Sequence, residues 1–353
     1  MGVKIDLRVP PCAPAPEVAS FVRLCEEAGF DGVGILDSQL LERDVFVSMA
    51  LALQATSRIR VASAVINPVT RHLSVLASAA KTVAELAPGR VEFWMGRGFS
   101  SVQTIGVAPA TVRELRQSVL TLKRLMAGES VAFNGATSRM RHGDPNLPPI
   151  YISATGPRAI EVAGEVADGV VLQIGLHPKA VELARQHLAK GAERAGRNPD
   201  DLEMVLCATT IIHDDQREAR EMARPLCVQR LMEEYHARWL RATGMDLGRL
   251  EMPKELWDLY PDVPHAEDWE KARRLCAFLP DDLLAQICDT IGLIGTAAHC
   301  ARRLREVEAS GVKHLYLMTS DTYQFAHREL RAFRDTIFPS LAPVSKTLDL
   351  SER

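Results

Sequence analysis

Short runs of apolar residues alternate with amphipathic segments along most of the chain, usually separated by glycine or proline. Over roughly the first ninety residues this alternation repeats about every thirty residues, which suits a unit of strand, turn and helix. The apolar runs predict strands at residues 3–9, 32–37, 58–65, 91–95, 149–154, 169–173, 204–212 and 313–318. The amphipathic segments predict helices that begin near residues 14, 44, 72, 109, 156, 178, 296 and 323.

Two longer segments interrupt this alternation. Residues 128–148 are polar and contain Asn134-Gly135, a pair typical of tight turns, so we predict a hairpin or a lid on the rim of the fold. Residues 214–290 are helical in pattern and rich in charge, with tryptophans interleaved. We interpret this second segment as an insertion that covers substrate or contacts another subunit.

The alternation of strands and helices predicts a parallel sheet. About eight such units close more naturally into a barrel than into an open sheet, and barrels of this kind reach this length as one domain. We therefore predict a single α/β domain over residues 1–353, a TIM-type (β/α)8 barrel with a helical insertion late in the chain.

Composition narrows the classes of protein that the chain can represent. A hydrophobic content of 47%, a charged content of 25% and a net charge of −3 without basic clusters argue against nucleic-acid binding. No apolar stretch approaches the roughly twenty residues that cross a bilayer, and the first residues carry no targeting signal. Seven cysteines without a CxxC pair are typical of reduced thiols, so we expect a cytoplasmic protein.

In TIM barrels the chemistry lies at the C-terminal ends of the strands, and this rule selects the candidate residues. The third strand end is the first candidate, because the apolar run Ala64-Val65-Ile66 leads directly into Asn67-Pro68 and then into Arg71-His72. An Asn-Pro pair alone is most simply a strand stop before a helix. A single histidine at a helix start is likewise more often a cap than an acid or base.

The fourth strand end carries Gly96-Arg97-Gly98, where paired glycines would let the backbone approach a planar ring closely. Such a pair is also common in ordinary turns. The segment is not a dinucleotide-binding fingerprint, because Ser101 occupies the place of the third glycine and the segment does not follow the first strand.

The fifth strand end is Ser153-Ala154-Thr155-Gly156, a turn of small residues that leads into a predicted helix. The first N–H groups of a helix have no partner within it, and they carry the positive end of the helix dipole. This turn is therefore either a plain helix cap or a binding site for a phosphate group.

Taken together, these segments resemble the luciferase-like monooxygenase superfamily, and especially its branch related to methylenetetrahydromethanopterin reductases that use an 8-hydroxy-5-deazaflavin, coenzyme F420. Members of that branch commonly carry an Asn-Pro-x-Thr-Arg-His run, which matches residues 67–72 here. The resemblance implies a cis peptide bond between Ala64 and Val65 that presses against the cofactor ring. It also implies that Asp37 and Asn67 lie near the cofactor, together with the glycine pair, Arg97 and the small-residue turn.

The sequence departs from the family pattern at three positions. Relatives often carry an acidic residue where Phe99 stands and a histidine where Ser38 stands. The reductases also place a glutamate at the end of strand one, where the best register puts Leu7. Asp37 and His72 therefore remain the candidates for catalysis, and Gln39, Phe99 and Gln173 are the candidates for contact with substrate.

The favoured hypothesis is an oxidoreductase that uses coenzyme F420 for hydride transfer to or from a small organic substrate. The alternatives are an FMN-dependent monooxygenase supplied by a partner flavin reductase, and a flavin-binding barrel without catalysis. None of the ten histidines forms an HxH pair, so we expect no catalytic metal. We also expect a homodimer or a larger homo-oligomer.

Overall fold

The computed structural model describes residues 2–320 and 322–341. In that part of the chain the strands are β1 (Lys4–Val9), β2 (Gly32–Ile35), β3 (Arg60–Ile66), β4 (Val91–Met95), β5 (Val131–Phe133), β6 (Ala136–Ser138), β7 (Ile150–Ala154), β8 (Gly169–Leu172), β9 (Glu203–Ile212), β10 (Gly292–Gly295) and β11 (His314–Thr319). The α-helices are α1 (Ala15–Ala28), α2 (Val45–Ala55), α3 (Leu73–Leu86), α4 (Ser100–Gln103), α5 (Val112–Met126), α6 (Pro157–Val166), α7 (Pro178–Arg194), α8 (Gln216–Met232), α9 (Glu234–Ala242), α10 (Trp269–Leu275), α11 (Asp281–Ile291), α12 (Ala297–Ala309), α13 (His327–Ala332) and α14 (Phe338–Leu341). Short 3₁₀ helices lie at Pro199–Asp201, Lys254–Asp258 and Val263–His265, and a π-helix lies at Phe333–Ile337.

Eight of these strands form a closed ring. Parallel pairing runs through β1, β2, β3, β4, β7, β8 and β9 to β11, and β11 pairs back onto β1. Because each strand of the ring has a neighbour on both sides, the ring has no free edge. The predicted TIM barrel is confirmed.

Side chains on the barrel strands alternate between two buried layers. On β4, Trp94 points into the barrel and packs with Tyr151 and Tyr316, whereas Phe93 and Met95 belong to the core between barrel and helices. This alternation follows from the period of two residues in a strand. The outer layer is apolar, whereas the inner layer also contains buried charged side chains such as Asp6 and Glu92.

A buried ionic network closes the barrel at the N-terminal ends of its strands. Arg60 pairs with Asp6 at 2.8 Å and with Glu92 at 2.6 Å. His314 lies between Asp6, at 3.0 Å, and Glu203, at 2.8 Å. These five side chains come from five different strands, so the network ties the floor of the barrel together and leaves the opposite end free for a site.

Several elements differ from the sequence prediction. The predicted helix near residue 109 begins instead at Val112, because Thr111 caps it in a reciprocal capping box with Glu114. The final helix begins at His327 rather than near residue 323. Strand β10 pairs with β9 and is not predicted, since a run of four residues between two helices carries no readable period.

The hairpin predicted around Asn134-Gly135 is present as β5 and β6. Both turn residues have positive φ, at 47° and 88°, which is the geometry that this pair favours. However, no residue of the 128–148 segment lines the large cavity at the C-terminal end of the barrel. Of the two alternatives, the hairpin is present, and it does not cover that cavity, because Phe133 packs on His72 outside it.

The second insertion leaves the barrel after β9 and returns at β10. Its helices enclose a hydrophobic cluster of their own, in which Cys227 of α8 meets Ile287 and Cys288 of α11. Because the insertion leaves the barrel at the C-terminal end of β9, α8 and α9 lie at that end of the barrel. Their position makes them walls of the cavity described next.

Candidate functional site

A cavity of about 930 Å³ lies at the C-terminal ends of the barrel strands. Its walls include residues from the barrel strands or the loops that follow them, together with residues of α8 and α9. A volume of this size accommodates an organic cofactor together with a small second molecule. The cavity therefore lies where the barrel rule places the chemistry.

The β3 side of the cavity is a bulge. The pairing register between β3 and β4 shifts between Ala64 and Ile66, and the Ala64-Val65 peptide bond is cis, as predicted. Both Ala64 and Val65 line the cavity. A Cβ atom at Gly96 would lie 3.0 Å from Cγ2 of Val65, so the absence of a side chain there lets β4 sit closely behind the bulge.

Asp37 follows β2, lines the cavity and is 4% exposed. Its two carboxylate oxygens accept hydrogen bonds from Arg71 at 2.5 and 3.0 Å, and Gln39 donates a further one at 2.9 Å. Burial raises the pKa of Asp37, and the Arg71 guanidinium opposes that rise. The pairing of Arg71 with Asp37 was not predicted from the sequence. Its only sequence signal is that a basic residue follows Asn-Pro-x-Thr.

Asn67 and Gln39 support the site without lining the cavity. Asn67 is fully buried and accepts hydrogen bonds from the backbone N–H groups of Val69 and Thr70, which fixes the turn after β3. Gln39 donates to Asp37. The structure therefore places both side chains in contacts that hold the loops around the cavity.

His72 also lies outside the cavity. It is the N-cap of α3, where its Nδ1 accepts a hydrogen bond from the backbone of Ser74, and its ring packs 5.1 Å from the ring of Phe133. The structure thus gives His72 the capping role that a histidine at a helix start commonly has, and it does not bring the imidazole to the cavity.

The loop after β4 forms the side of the cavity next to the bulge. Gly96, Arg97, Gly98 and Phe99 all line it. Gly98 has a φ of +92°, and a Cβ there would lie 2.7 Å from a methyl group of Val102. The predicted glycine pair is therefore required by two different constraints, close approach at Gly96 and backbone conformation at Gly98.

The predicted phosphate turn lies at the start of α6, and Ser153, Ala154, Thr155 and Gly156 all line the cavity. Gly156 is the N-cap of this ten-residue helix, and no side chain caps its first N–H groups. From the insertion, Trp239 donates a hydrogen bond to the carbonyl of Thr155 at 2.8 Å. The turn before α6 is thus held in place, and the positive dipole end of that helix lies at the cavity wall.

Three polar side chains meet on the side of the cavity formed by β8 and α8. Gln173, which was predicted from the sequence, follows β8, while Arg230 and His236 come from the insertion and were missed. Arg230 Nη1 lies 3.0 Å from Nδ1 of His236. With its amide oxygen turned toward the guanidinium, Gln173 accepts hydrogen bonds at 3.1 and 2.9 Å. We refer to these three residues as the Arg230 cluster.

Burial shifts the ionisation of this cluster. It lowers the pKa of Arg230 to about 10. Burial and the neighbouring guanidinium together hold the pKa of His236 well below its usual range, so its imidazole is neutral at pH 7. No motif marks these residues in the sequence, because they reach the cavity only through the packing of α8 and α9.

Residues 2–320 and 322–341 contain no group of three histidine, cysteine, aspartate or glutamate side chains placed to hold a metal ion. In the same residues, every helix is too short or too polar to cross a bilayer.

Residues 4–314 match the luciferase-like monooxygenase family. The chain is 32% identical over 225 residues to 5,10-methylenetetrahydromethanopterin reductase of Methanolobus tindarius, covering 61% of this chain and 67% of the relative. It is 31% identical over 229 residues to F420-dependent glucose-6-phosphate dehydrogenase of Nakamurella multipartita, covering 59% and 67%. The match thus spans about two thirds of each of these relatives.

Solved structures resemble the chain over nearly its whole length. The coenzyme F420 dependent tetrahydromethanopterin reductase from Methanopyrus kandleri superposes with a TM-score of 0.75 at 19% identity, covering 96% of this chain and 99% of that one. An F420-dependent secondary alcohol dehydrogenase in complex with an F420-acetone adduct superposes with a TM-score of 0.72 at 16% identity, covering 97% and 100%. At sequence identities this low, the superpositions show that the chain shares the fold of these two proteins.

Proposed function

The chain belongs to the luciferase-like monooxygenase family, and from that premise we propose that it is an oxidoreductase that binds coenzyme F420 and transfers a hydride between it and a small organic substrate. One observation carries the proposal: a single cavity is bounded by the Ala64-Val65 bulge and also by the uncapped start of α6. The curated relatives reported above, whose names specify coenzyme F420 or methylenetetrahydromethanopterin, support the choice of cofactor.

The residues of the cavity suit such a cofactor. Ala64 and Val65, backed by Gly96, offer an apolar surface against which a planar ring system packs. The positive dipole end of α6 and the backbone N–H of Arg158, which is the first N–H of the helix because Pro157 has none, suit a phosphate group. The exposed side chain of Arg158 adds positive charge. When bound, the deazaflavin supplies a carbon of its central ring that gives or accepts a hydride.

The contacts of Asp37 favour a positioning role. Among residues 2–320 and 322–341, the hydrogen bonds to its carboxylate come from Arg71 and Gln39, side chains of the surrounding loops. The bidentate pair with Arg71 favours the charged carboxylate, which then presents a fixed negative charge at the cavity wall. We infer that Asp37 orients polar groups of the bound ring rather than exchanging protons.

The insertion completes the site. Trp239 holds the turn that contacts the phosphate, and α8 and α9 cover the cavity on the side of β8. Covering a site in this way excludes water, which protects a hydride donor and strengthens electrostatic interactions inside. The protein therefore mainly binds, orients and shields, while the cofactor provides the redox chemistry.

Side-by-side titration of the protein with F420 and FMN, followed by absorbance, tests the proposal. We expect saturable binding of F420 and little affinity for FMN. Arg158→Gln should weaken F420 binding by about three- to tenfold, because it removes a cation near the phosphate. Arg113→Gln, which removes an exposed cation from the start of α5, should leave the affinity unchanged.

Other results of this titration would select other functions. Tight binding of FMN without affinity for F420 would overturn the proposal and favour an FMN-dependent monooxygenase supplied by a flavin reductase. Long-chain alkane monooxygenase, which superposes on the chain with a TM-score of 0.66, has the same fold. Binding of a cofactor whose reduced form is oxidised by neither oxygen nor any organic substrate would indicate a barrel without catalysis.

A further inference from the structure

Arg230 is a buried cation in the wall of the cavity. Its side chain belongs to α8 and the residue is 7% exposed. Arg224, six residues earlier on the same helix, is buried to a similar degree, at 5% exposed. Arg224 pairs with Glu221 at 2.5 Å and with Asp281 at 2.6 Å, whereas in the described part of the chain no carboxylate forms an ion pair with Arg230.

The neighbours of Arg230 are neutral. Gln173 contributes an amide oxygen and His236 a ring nitrogen, and His236 is uncharged at pH 7 for the reasons given above. Glu233, at the junction of α8 and α9, also lines the cavity but makes no ion pair with Arg230. A buried guanidinium without an anionic partner is costly, and a bound ligand that carries a negative charge would offset that cost.

The position of Arg230 relative to the bulge follows from the order of the strands. Four pairing steps separate β3 from β9 in either direction around the ring, so these two strands lie on opposite sides of the barrel. Arg230 lines the same cavity as Cys207 of β9, and it contacts Gln173, which follows β8. The Arg230 cluster therefore faces the Ala64-Val65 bulge across the cavity.

We propose that Arg230 binds an oxyanion of the substrate, a carboxylate or a phosphate, and so selects small anionic molecules for this enzyme. The inference rests on the proposed function, because it takes the bulge side of the cavity to hold the cofactor ring and the opposite side to hold the substrate. A guanidinium fork suits either oxyanion through two parallel hydrogen bonds. Gln173 and His236 hold the guanidinium in place for that contact.

Calorimetric titration tests this assignment with glycolate and inorganic phosphate as anionic probes and ethylene glycol as the neutral probe. Each probe is titrated into the protein saturated with F420, whose own phosphate then occupies the α6 start, and also into the protein without cofactor. The variants are Arg230→Gln, Arg230→Lys and the control Arg217→Gln, which removes an exposed cation from the same helix α8. F420 binding and thermal unfolding of each variant are measured in parallel.

We expect the wild type and Arg217→Gln to bind at least one anionic probe and not ethylene glycol. Arg230→Gln should weaken that binding at least tenfold and leave F420 affinity unchanged. Arg230→Lys should fall between the two, because it keeps the charge but not the fork, and it carries the test if Arg230→Gln does not fold. The probe that depends on Arg230 identifies the oxyanion.

Three results would overturn the assignment: anion binding that is equal in the wild type and Arg230→Gln, no anion binding by the wild type, or loss of F420 affinity in Arg230→Gln. The last result would assign the cluster to the cofactor instead. The wild type could instead bind no F420 but bind glycolate without cofactor, with that binding lost in Arg230→Gln. The proposed function would then be refuted, while the assignment of Arg230 as an oxyanion site would be supported.

Discussion

At the scale of single residues, the bidentate pair of Asp37 and Arg71 shows how a short motif acts on a distant loop. Arg71 belongs to the run after β3, yet its main partner is Asp37 after β2, and it also contacts Asp44 at 3.0 Å. The guanidinium lies 5.4 Å from the centre of the Phe46 ring as well. The motif thus stabilises the loop that carries Asp37 into the cavity.

Replacing Arg71 alone should be strongly destabilising. In Arg71→Met the buried Asp37 carboxylate loses its partner, and we expect the free energy of unfolding in urea to fall by about 3 kcal/mol. The double variant Asp37→Asn/Arg71→Met should recover part of this loss, because no uncompensated charge remains. Arg113→Met is the control at an exposed arginine, and equal losses in Arg71→Met and Arg113→Met would contradict the prediction.

Two glycines of the loop after β4 allow a matched comparison of backbone strain. Gly98 and Gly106 both have positive φ, at +92° and +68°, but only at Gly98 would a Cβ collide with a neighbour, the buried Val102. Gly106→Ala should therefore cost about 1 kcal/mol of unfolding free energy, and Gly98→Ala about 3 kcal/mol. Urea unfolding measures both, and a Gly98→Ala variant no less stable than Gly106→Ala would refute the steric argument.

At the scale of elements, the insertion contributes to the site through α8 and α9 and also through Pro264 and His265 of its 3₁₀ helix Val263–His265. Trp239 of α9 is 1% exposed, and its indole N–H reaches the Thr155 carbonyl in the turn before α6. This hydrogen bond fixes where the start of α6 lies relative to the cavity. The insertion therefore shapes the cofactor end of the site as well as the side near Arg230.

Trp239→Phe removes this hydrogen bond and keeps an aromatic ring in the same place. Because such a bond contributes about 1 kcal/mol, we expect F420 affinity to fall by about fivefold in an absorbance titration. Trp257→Phe serves as the control, since Trp257 is 62% exposed. If both variants bound F420 as the wild type does, the turn would be held by other contacts.

At the scale of the whole molecule, the two ends of the barrel have different tasks. The C-terminal end holds the cavity, while the N-terminal end holds the ionic network around His314. Burial alone would lower the pKa of His314, but the carboxylates of Asp6 and Glu203 outweigh burial and the opposing Arg60 and raise that pKa to about 9. His314 therefore stays charged in the folded protein at neutral pH.

This raised pKa predicts how stability depends on pH. A histidine with a higher pKa in the folded state stabilises fully below the unfolded value, about 6.5, and loses that contribution as pH rises to about 9. The difference corresponds to about 3 kcal/mol. The unfolding free energy of the wild type, measured in urea at pH 6.5 and 9, should fall by that much relative to His314→Gln; identical pH profiles would contradict the role of His314.

Much of the fold could be predicted from the sequence because its signals are local. The barrel strands, most helix starts and the turn at Asn134-Gly135 depend on periodicity and on residues with special backbone preferences. The cis bond at Ala64-Val65 could be predicted only from the resemblance to a family, since propensity disfavours it. Strand β10 escaped prediction because four residues are too few to show a period.

The sequence by itself therefore determined the order of strands and helices and, through the rule for barrels, which strand ends surround the cavity. Only the tertiary structure decided which side chains reach it. In the folded chain, His72 caps a helix, and Asn67 and Gln39 hold loops outside the cavity lining. Arg230 and His236 of the insertion line the cavity instead. The physical reason is that burial and charge pairing depend on residues far apart in the chain, whereas the hydrophobic period of a helix or strand depends only on neighbouring residues.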